Sequence, residues 1–290
     1  AVRTTIAGLQ GIAHFRDHMI VLPHAKINLG LQVLRLRPDG YRDIRTVMLP
    51  IPLHDALEIV VDPDVPAGTC MMTHSGRPVP GEPGQDLCLK AANALGAICD
   101  LPGLRMQLHK AIPIGGGLGG GSSDAAHVLL LLNRLLDLKL DTTTLHTLAA
   151  ELGSDCPFFL EPRAQLAEGR GERLTPVELN LSGWWLALLD PGVHVSTAEV
   201  YAHTPVLSND QDLASIAERG PQHWSAQLKN DMEAYVFGAY PLVGKMKAEL
   251  VAAGATYASM SGSGATVYGF FRREPELTHL DTAVILLTKL

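Results

Sequence analysis

The feature that most restricts how this chain can fold is a run of glycines between two apolar segments of different periodicity. Residues 113–126 read PIGGGLGGGSSDAA, with six glycines among the seven residues from Gly115 to Gly121. Leu104, Met106 and Leu108 alternate before this run, as in a strand, whereas the apolar positions after it have helical spacing. Glycine permits positive φ and lets another group approach the main chain closely. The pattern therefore predicts a strand, a glycine loop and a buried helix in succession.

The residues at the end of the glycine run predict what the loop does. Ser122, Ser123 and Asp124 are good N-cap residues, so we expect the helix to run from about Ser123 to Leu136. The start of a helix presents unpaired N–H groups and the positive end of the helix dipole. A loop of bare amides that leads into such a terminus favours binding of a phosphate chain. The alternatives are a flexible surface loop, or glycines required only by tight helix–strand packing.

Two common phosphate motifs do not fit this loop. Gly115, Gly117 and Gly120 match the dinucleotide fingerprint in form, but that motif needs a strand ending in an acidic residue about 20 positions further on. The predicted helix runs past that distance. The Walker motif needs a lysine after its last glycine, and Ser122 follows Gly121 here. A phosphate site in this loop is therefore of another kind.

The rest of the chain alternates between strand and helix signals, which predicts an α+β protein in two lobes. Apolar residues alternate from Ala25 to Val33, so this segment is expected to be a strand with one buried face. Residues 62–85, rich in Pro and Gly, are expected to be a loop. We place a domain boundary near residue 170, which gives domains 1–170 and 171–290, and leave residues 1–18 aside as a possible N-terminal extension. Further strands are predicted at Ile44–Pro50, Ala56–Val61, Trp184–Leu189 and Thr266–Phe271, and helices at Asp86–Ile98, Leu145–Leu152 and Pro241–Ala252.

Composition excludes some functions. The chain has 23 Lys and Arg against 30 Asp and Glu and no basic run, so nucleic acid is not an expected partner. No apolar run reaches the roughly 20 residues that span a membrane. The four cysteines, none in a CxxC pair, are typical of reduced thiols in a cytoplasmic protein, and no metal-ligand cluster is predicted.

The glycine run resembles the second motif of the GHMP small-molecule kinases. Residues 25–29, together with Asp39, Gly40 and Tyr41, resemble the first motif of that family, and residues 259–266 resemble the third. The doubled form GLGGGSS is similar to the branch that phosphorylates a cytidine diphosphate-linked sugar alcohol. The resemblance covers about residues 20–275, and two further stretches match between the motifs, at 167–172 and 190–193.

The resemblance implies a fold and an activity. The expected fold is the two-lobed GHMP arrangement, with an ATP-binding domain in residues 1–170, a substrate domain in 171–290 and the active site between the lobes. The expected reaction is phosphorylation by ATP, with Mg²⁺, of the 2-hydroxyl of a cytidine diphosphate-linked methylerythritol in isoprenoid precursor biosynthesis. A homoserine or mevalonate type of GHMP kinase and a non-catalytic nucleotide-binding regulator are the alternatives. We expect a cytoplasmic monomer or homodimer.

Two residues are predicted to be catalytic. From the pattern alone, Lys26 and Asn28 could simply lie on a solvated strand face, and Asp155 could be a cap before the turn at Pro157. The resemblance instead implies that Lys26 and Asp155 form the catalytic pair of the family. Asp155 would then be the general base, and Lys26 would lie near the attacking hydroxyl and the γ-phosphate.

The remaining site residues follow from the same motifs. Ser122 and Ser123 could cap the helix, contact phosphate or bind Mg²⁺ through a hydroxyl. Nucleotide contacts are predicted at Pro113, Ile114, Gly115, Gly116, Gly117, Leu118, Gly119, Gly120, Gly121, Ser122 and Ser123.

Substrate contacts are predicted at four residues. The resemblance implies that Tyr41 and Tyr201 stack on either side of cytosine and that Asn28 lies in the site. Arg42 stands where the branch is expected to have His; it could read cytosine through its backbone or contact the diphosphate. Asp86 is a second departure, where the family usually has Asn.

Overall fold

The computed structural model describes residues 18–81, 83–206, 211–278, 280 and 283–290; residues 1–17 of the predicted extension lie outside the described residues. The strands are β1 (His18–Val21), β2 (His24–Leu36), β3 (Arg42–His54), β4 (Ala56–Val61), β5 (Cys70–Gly76), β6 (Leu104–Lys110), β7 (Gln165–Gly169), β8 (Arg173–Pro176), β9 (Trp185–Asp190), β10 (Tyr257–Met260), β11 (Val267–Phe271) and β12 (Ala283–Lys289). The α-helices are α1 (Leu87–Gly96), α2 (Gly120–Leu135), α3 (Thr142–Leu152), α4 (Thr197–His203), α5 (Leu213–Glu218), α6 (Glu233–Ala239) and α7 (Pro241–Ala252).

The chain divides into two compact units. The first contains the described residues up to His24, together with His54–Ile112 and Gly120–Leu160. Its sheet has the strand order β1-β4-β6-β5, antiparallel except for the parallel pair β5 and β6. Apolar residues of this sheet and of α1, α2 and α3 form one continuous core. Helix α2 is central to it, because its apolar side chains from Ala125 to Leu132 are largely buried.

The second unit contains Ala25–Leu53, Pro113–Gly119 and Glu161–Leu290. One of its sheets has the order β2-β3-β7-β8, and the other has the order β10-β11-β9-β12. The core of this unit is formed by β9, β10 and β11, by helices α4, α6 and α7, and by Leu31 and Val33 of β2.

The predicted α+β class is confirmed by this mixture of sheets and helices and by the structural comparisons given below. The division at residue 170 stays a prediction. Two expectations are wrong. Residues 62–85 contain β5, an edge strand whose side chains are mostly exposed and which therefore lacks an apolar alternation. The strand expected from Ala25 to Val33, which is part of β2, does not have one solvated face, because every residue from His24 to Val33 is buried.

Candidate active site

The glycine loop has three left-handed residues. Gly115, Gly117 and Gly119 have φ of 71°, 75° and 71°, which L side chains rarely adopt. Packing adds a second constraint, since a Cβ built at Gly117 would lie 2.0 Å from the carbonyl oxygen of Ser261. A Cβ at Gly116 would lie 2.7 Å from the hydroxyl of Thr266. Tight packing alone therefore requires glycine at positions 116 and 117, independently of any phosphate.

Helix α2 begins at Gly120, three residues before the predicted start. Ser122 and Ser123 therefore lie in the first turn of the helix and are not N-caps, which corrects the capping alternative. Ser123 is fully buried, with its Oγ 3.4 Å from Nδ1 of His127. Ser122 is half-buried and shares a hydrogen bond with the thiol of Cys156. Because the first four N–H groups of a helix have no partner within it, this turn can donate to an anion.

Lys26 is buried beside the glycine loop. Its ammonium group donates to the carbonyl oxygen of Gly117 at 3.1 Å and to Oδ1 of Asn28 at 2.6 Å, and its backbone N–H donates to the carbonyl of Leu118 at 2.9 Å. Only 4% of Lys26 is exposed. The strand and the loop together therefore hold a cationic group at the middle of the glycine run.

Asn28 has a protein partner for each of its polar groups. Its Oδ1 accepts from Lys26, and its Nδ2 donates to the hydroxyl of Thr46 at 3.1 Å. Its backbone N–H donates to Oγ of Ser261 at 3.3 Å, and its carbonyl accepts from the hydroxyl of Tyr268 at 2.7 Å. Asn28 thus orients the ammonium group of Lys26, and its direct contact with substrate stays a prediction.

The third motif packs against the same loop. Oγ of Ser261 donates to the carbonyl of Gly117 at 2.8 Å, so this carbonyl accepts from both Ser261 and Lys26. A Cβ at Gly262 would lie 3.3 Å from Oδ1 of Asn28 and from the carbonyl oxygen of Gly117. Three segments that are far apart in sequence are therefore joined at one carbonyl group of the glycine loop.

Asp155 lies on the turn that follows α3. It immediately precedes a short 3₁₀ helix, Cys156–Leu160, and its carbonyl accepts from the N–H of Phe158 at 3.2 Å. A Cβ at Gly153 would lie 3.3 Å from Sγ of Cys156 and 4.0 Å from Oγ of Ser122. This turn therefore packs against the first turn of α2. Asp155 and Lys26 belong to different units, and their catalytic pairing stays a prediction.

A buried group of three charges lies near the start of α2, and no motif in the sequence indicates it. The ammonium group of Lys110 forms ion pairs with Oδ2 of Asp55 and, at 2.5 Å, with Oδ2 of Asp124. Oδ1 of Asp55 accepts from the N–H groups of Ala111 and Ile112 at 2.6 and 2.9 Å. The group thus ties the end of β6 to the second turn of α2, and so joins the segments that precede and follow the glycine loop.

Burial and neighbouring charges act in opposite directions within this group. Burial raises the pKa of Asp124 to about 7, with a further increase from Asp55, although Lys110 opposes the shift. Oδ1 of Asp124 makes no hydrogen bond among the described residues. Burial lowers the pKa of Lys110, but the two aspartates more than offset this, so that its pKa is raised and the lysine stays charged.

The predicted base-binding residues lie in the second unit. Tyr41 is 55% exposed, with the guanidinium group of Arg170 5.1 Å from its ring centroid. Nη1 of Arg42 donates to the carbonyl of Thr204 at 3.0 Å, directly after the helix α4 that carries Tyr201. Arg42 therefore ties the start of β3 to the end of α4. Contact of these residues with a substrate stays a prediction.

Asp86, which stands where the family usually has Asn, stabilises the start of helix α1. Its Oδ1 accepts from the N–H of Cys88 at 2.7 Å and caps helix α1, while its Oδ2 lies 2.9 Å from Nε2 of His74. An N-cap of this kind stabilises a helix by about 1 kcal/mol.

Comparisons with known proteins place the chain in a family. The description "GHMP kinases N terminal domain" matches residues 86–161, and "GHMP kinases C terminal" matches residues 207–280. The 4-diphosphocytidyl-2-C-methyl-D-erythritol kinase of Cytophaga hutchinsonii is 43% identical over 268 residues, which is 92% of this chain and 97% of that protein. The kinase of the same name from Bacteroides fragilis is 43% identical over 91% of this chain and 96% of its own length.

Solved structures agree with this placement. The crystal structure of a 4-(cytidine 5'-diphospho)-2C-methyl-D-erythritol kinase superposes with a TM-score of 0.73 and 34% identity, over 87% of this chain and 89% of that one. A homoserine kinase from Cytophaga hutchinsonii has a TM-score of 0.64 at 15% identity, over 88% of this chain and 85% of its own, which is a likeness of fold alone.

The chain therefore belongs to the GHMP kinases, enzymes that use ATP to phosphorylate small molecules. Within them, identity above 40% over nine-tenths of the chain places it in the family of the 4-diphosphocytidyl-2-C-methyl-D-erythritol kinases. Among the described residues, no helix is long and apolar enough to cross a membrane.

Proposed function

We propose that this protein transfers the γ-phosphoryl group of ATP to the 2-hydroxyl of 4-(cytidine 5'-diphospho)-2-C-methyl-D-erythritol. The observation that carries the proposal is the hydrogen bond between the ammonium group of Lys26 and the carbonyl of Gly117. It holds a cationic group at the middle of a loop with three left-handed glycines. A cation fixed at a phosphate loop is what phosphoryl transfer needs, because the transition state is stabilised mainly by positioned charge.

In the proposed reaction the 2-hydroxyl oxygen of the substrate bonds to the γ-phosphorus of ATP. The bond from that phosphorus to the β–γ bridging oxygen breaks, and ADP leaves. Asp155 accepts the proton of the attacking hydroxyl. Lys26 lies close to the transferring group and stabilises its negative charge. The backbone N–H groups of Gly120, Gly121 and Ser122 donate to the phosphates.

Mg²⁺ is proposed as the accompanying ion. The described residues contain no group of three or more acidic, His or Cys side chains that could hold a metal. Mg²⁺ usually keeps several waters and binds through few protein ligands together with substrate phosphates. When bound, the ion neutralises phosphate charge. The hydroxyl of Ser122 is the ligand that we propose, because it is half-buried in the first turn of α2, whereas Ser123 is fully buried.

The cytidine moiety is proposed to stack between Tyr41 and Tyr201. Tyr41 is exposed and follows a turn in which Oδ1 of Asp39 accepts a hydrogen bond from its backbone N–H at 3.1 Å. Arg42 supports the second tyrosine through the end of α4. The oligomeric state, monomer or homodimer, and the cytoplasmic location of the protein stay predictions.

The proposal is tested with purified protein, ATP and Mg²⁺ against three alcohols: the cytidine diphosphate-linked methylerythritol, homoserine and mevalonate. We expect formation of ADP and of a phosphorylated product with the first alcohol alone. Turnover of homoserine or mevalonate alone would indicate another GHMP kinase activity. ATP binding without turnover of any of the three would favour the non-catalytic regulator.

A further inference from the structure

The segment between α5 and α6 is tied to both β2 and the third motif. Residues 229–233 read KNDME. The N–H of Leu31 donates to the carbonyl of Lys229, and the N–H of Asp231 donates to the carbonyl of Leu31, each at 2.9 Å. Oδ2 of Asp231 accepts from the N–H of Val33 at 2.9 Å. This segment therefore pairs with β2 five to seven residues beyond Lys26.

Asn230 is the residue of this segment that reaches the third motif. It is 4% exposed, and its Nδ2 donates to the carbonyls of Met260 at 2.9 Å and Gly262 at 2.8 Å. Its Oδ1 accepts from the N–H of Met232 at 3.0 Å. All three of these side-chain hydrogen bonds are to backbone groups, so Asn230 serves to fix the position of the backbone around it.

The two carbonyls that Asn230 holds are those on either side of Ser261. Oγ of Ser261 donates to the carbonyl of Gly117 at 2.8 Å and accepts from the N–H of Asn28 at 3.3 Å. The same carbonyl of Gly117 accepts from the ammonium group of Lys26, which also donates to Oδ1 of Asn28. Asn230 is thus connected to Lys26 by hydrogen bonds and by the backbone of residues 260–262, through the hydroxyl of Ser261 and the carbonyl of Gly117.

Glu233 holds the strand that leads into the motif. Its Oε1 accepts from the N–H of Met260 at 2.9 Å and from the hydroxyl of Ser259 at 3.0 Å. Its Oε2 pairs with the ammonium group of Lys247 at 2.6 Å. Asn230 and Glu233 therefore fix consecutive residues of the third motif.

We propose that Asn230 is a positioning residue for phosphoryl transfer: by holding the carbonyls on both sides of Ser261 it fixes the Gly117 carbonyl and the ammonium group of Lys26. The inference rests on the proposed function, in which Lys26 acts on the transferring phosphoryl group. Without the two donors of Asn230, the turn at Ser261 loses its support, and the ammonium group of Lys26 is held less accurately. Small displacements of a positioned charge reduce turnover strongly.

The test compares Asn230→Ala with Asn133→Ala. Asn133 is a matched control, because its side chain also bonds to backbone, donating to the carbonyl of Leu140 at 3.2 Å and accepting its N–H at 3.0 Å, in the first unit. We expect Asn230→Ala to lower kcat at least tenfold with KM for the cytidine substrate changed less than threefold. Asn133→Ala should lower the unfolding temperature without lowering kcat.

A second comparison separates positioning from general loosening of the structure. Because Asn230 is proposed to act through Lys26, Asn230→Ala should change kcat less than twofold in a Lys26→Ala background. An equal tenfold loss in both backgrounds would overturn the inference, as would more than half the normal kcat in Asn230→Ala. If Asn230→Ala does not fold, Asp231→Ala is measured in the same two backgrounds, because it removes only the hydrogen bond to Val33. We expect it to lower kcat less than tenfold when Lys26 is present, and less than twofold in the Lys26→Ala background.

The unmodified protein is assayed in parallel with the same substrates. An unmodified protein without kinase activity would overturn the proposed function, and with it the inference. An active unmodified protein whose Asn230→Ala variant keeps more than half of the normal kcat would overturn the inference alone.

Discussion

Lys26 receives its position from hydrogen bonds within the protein, before any substrate binds. The carbonyl of Gly117 and the side chain of Asn28 accept from its ammonium group. A charge that is already oriented needs no reorganisation during the reaction, and such charges supply much of the rate enhancement of enzymes. In the proposed mechanism Lys26 acts on the transferring phosphoryl group and Asp155 on the attacking hydroxyl in the same step, so the two residues should behave as a unit.

Substitution of the catalytic pair tests that claim. Asp155→Asn should leave ATP and the cytidine substrate bound but lower kcat by about two orders of magnitude, the range of a lost general base. Lys26→Ala should cost a similar factor through lost charge stabilisation. The double variant should be little slower than either single one, because residues that act together are not additive. Multiplicative losses in kcat would show that the two residues work independently.

Tyr41 is the most direct test of base stacking. Tyr41→Ala should weaken binding of the cytidine substrate by about 1–3 kcal/mol, the range measured for base–aromatic stacking. Titration calorimetry with the substrate and with ATP checks this, and the affinity for ATP should stay nearly unchanged. An unaltered affinity for the cytidine substrate would mean that Tyr41 only packs against Arg170, which lies 5.1 Å from its ring centroid.

At the scale of the elements, the glycine loop and α2 serve both packing and the proposed binding of phosphate. A Cβ at Gly117 would overlap Ser261, so substitution there would disturb the fold as well as any ligand site. Gly121 is different, because it lies in the first turn of α2 and a Cβ there would meet only Leu87, at 3.7 Å. A substitution at Gly121 therefore tests the proposed binding of phosphate without disturbing the packing of the loop.

Gly121→Leu should weaken ATP binding at least tenfold without lowering stability, since leucine is a better helix former than glycine and the position is exposed. Gly238→Leu is the matched control, in the exposed last turn of α6, where a Cβ would meet nothing within 4 Å. ATP affinity and unfolding temperature are measured for both variants. Equal ATP affinity in the two would contradict the assignment of this turn to phosphate.

The elements that could be predicted from the sequence are those with a strong local signal. Apolar periodicity predicts α2, β4 and the buried strand β9, and glycine and serine chemistry predicts the loop before α2. Strands such as β5 were missed because an exposed edge strand has no apolar alternation. Lys110, its two aspartates and Asn230 could not be found, because each is a single polar residue whose partners lie far away in sequence.

At the scale of the whole molecule, the buried charges make stability depend on pH. Burial raises the pKa of Asp124 from 3.8 to about 7, so the folded protein keeps a proton that the unfolded chain releases at about pH 4. This group therefore lowers the free energy of unfolding as pH rises from about 4 to about 7, by about 1.4 kcal/mol for each unit between the two pKa values. Above that range its contribution is constant.

Asp124→Asn removes this titration and should flatten the pH profile of stability. Chemical denaturation of both proteins at pH 5 and at pH 8 measures it. We expect the variant to gain stability relative to the unmodified protein between pH 5 and pH 8. Burial lowers the pKa of His127 to about 4, and this group, like the other titrating groups that both proteins share, should cancel in the comparison. Parallel profiles would show that Asp124 is ionised throughout.

Selectivity for the base is the most direct test of the central claim, that this chain is a kinase for a cytidine diphosphate-linked alcohol. The measurement is kcat/KM for 4-(cytidine 5'-diphospho)-2-C-methyl-D-erythritol and for its uridine analogue, with the phosphorylated position identified by phosphorus NMR. We predict phosphorylation of the 2-hydroxyl and a preference for cytidine of at least a hundredfold, because the wrong base leaves buried polar groups unpaired. Equal use of the two nucleotides, or phosphorylation at another hydroxyl, would contradict the account.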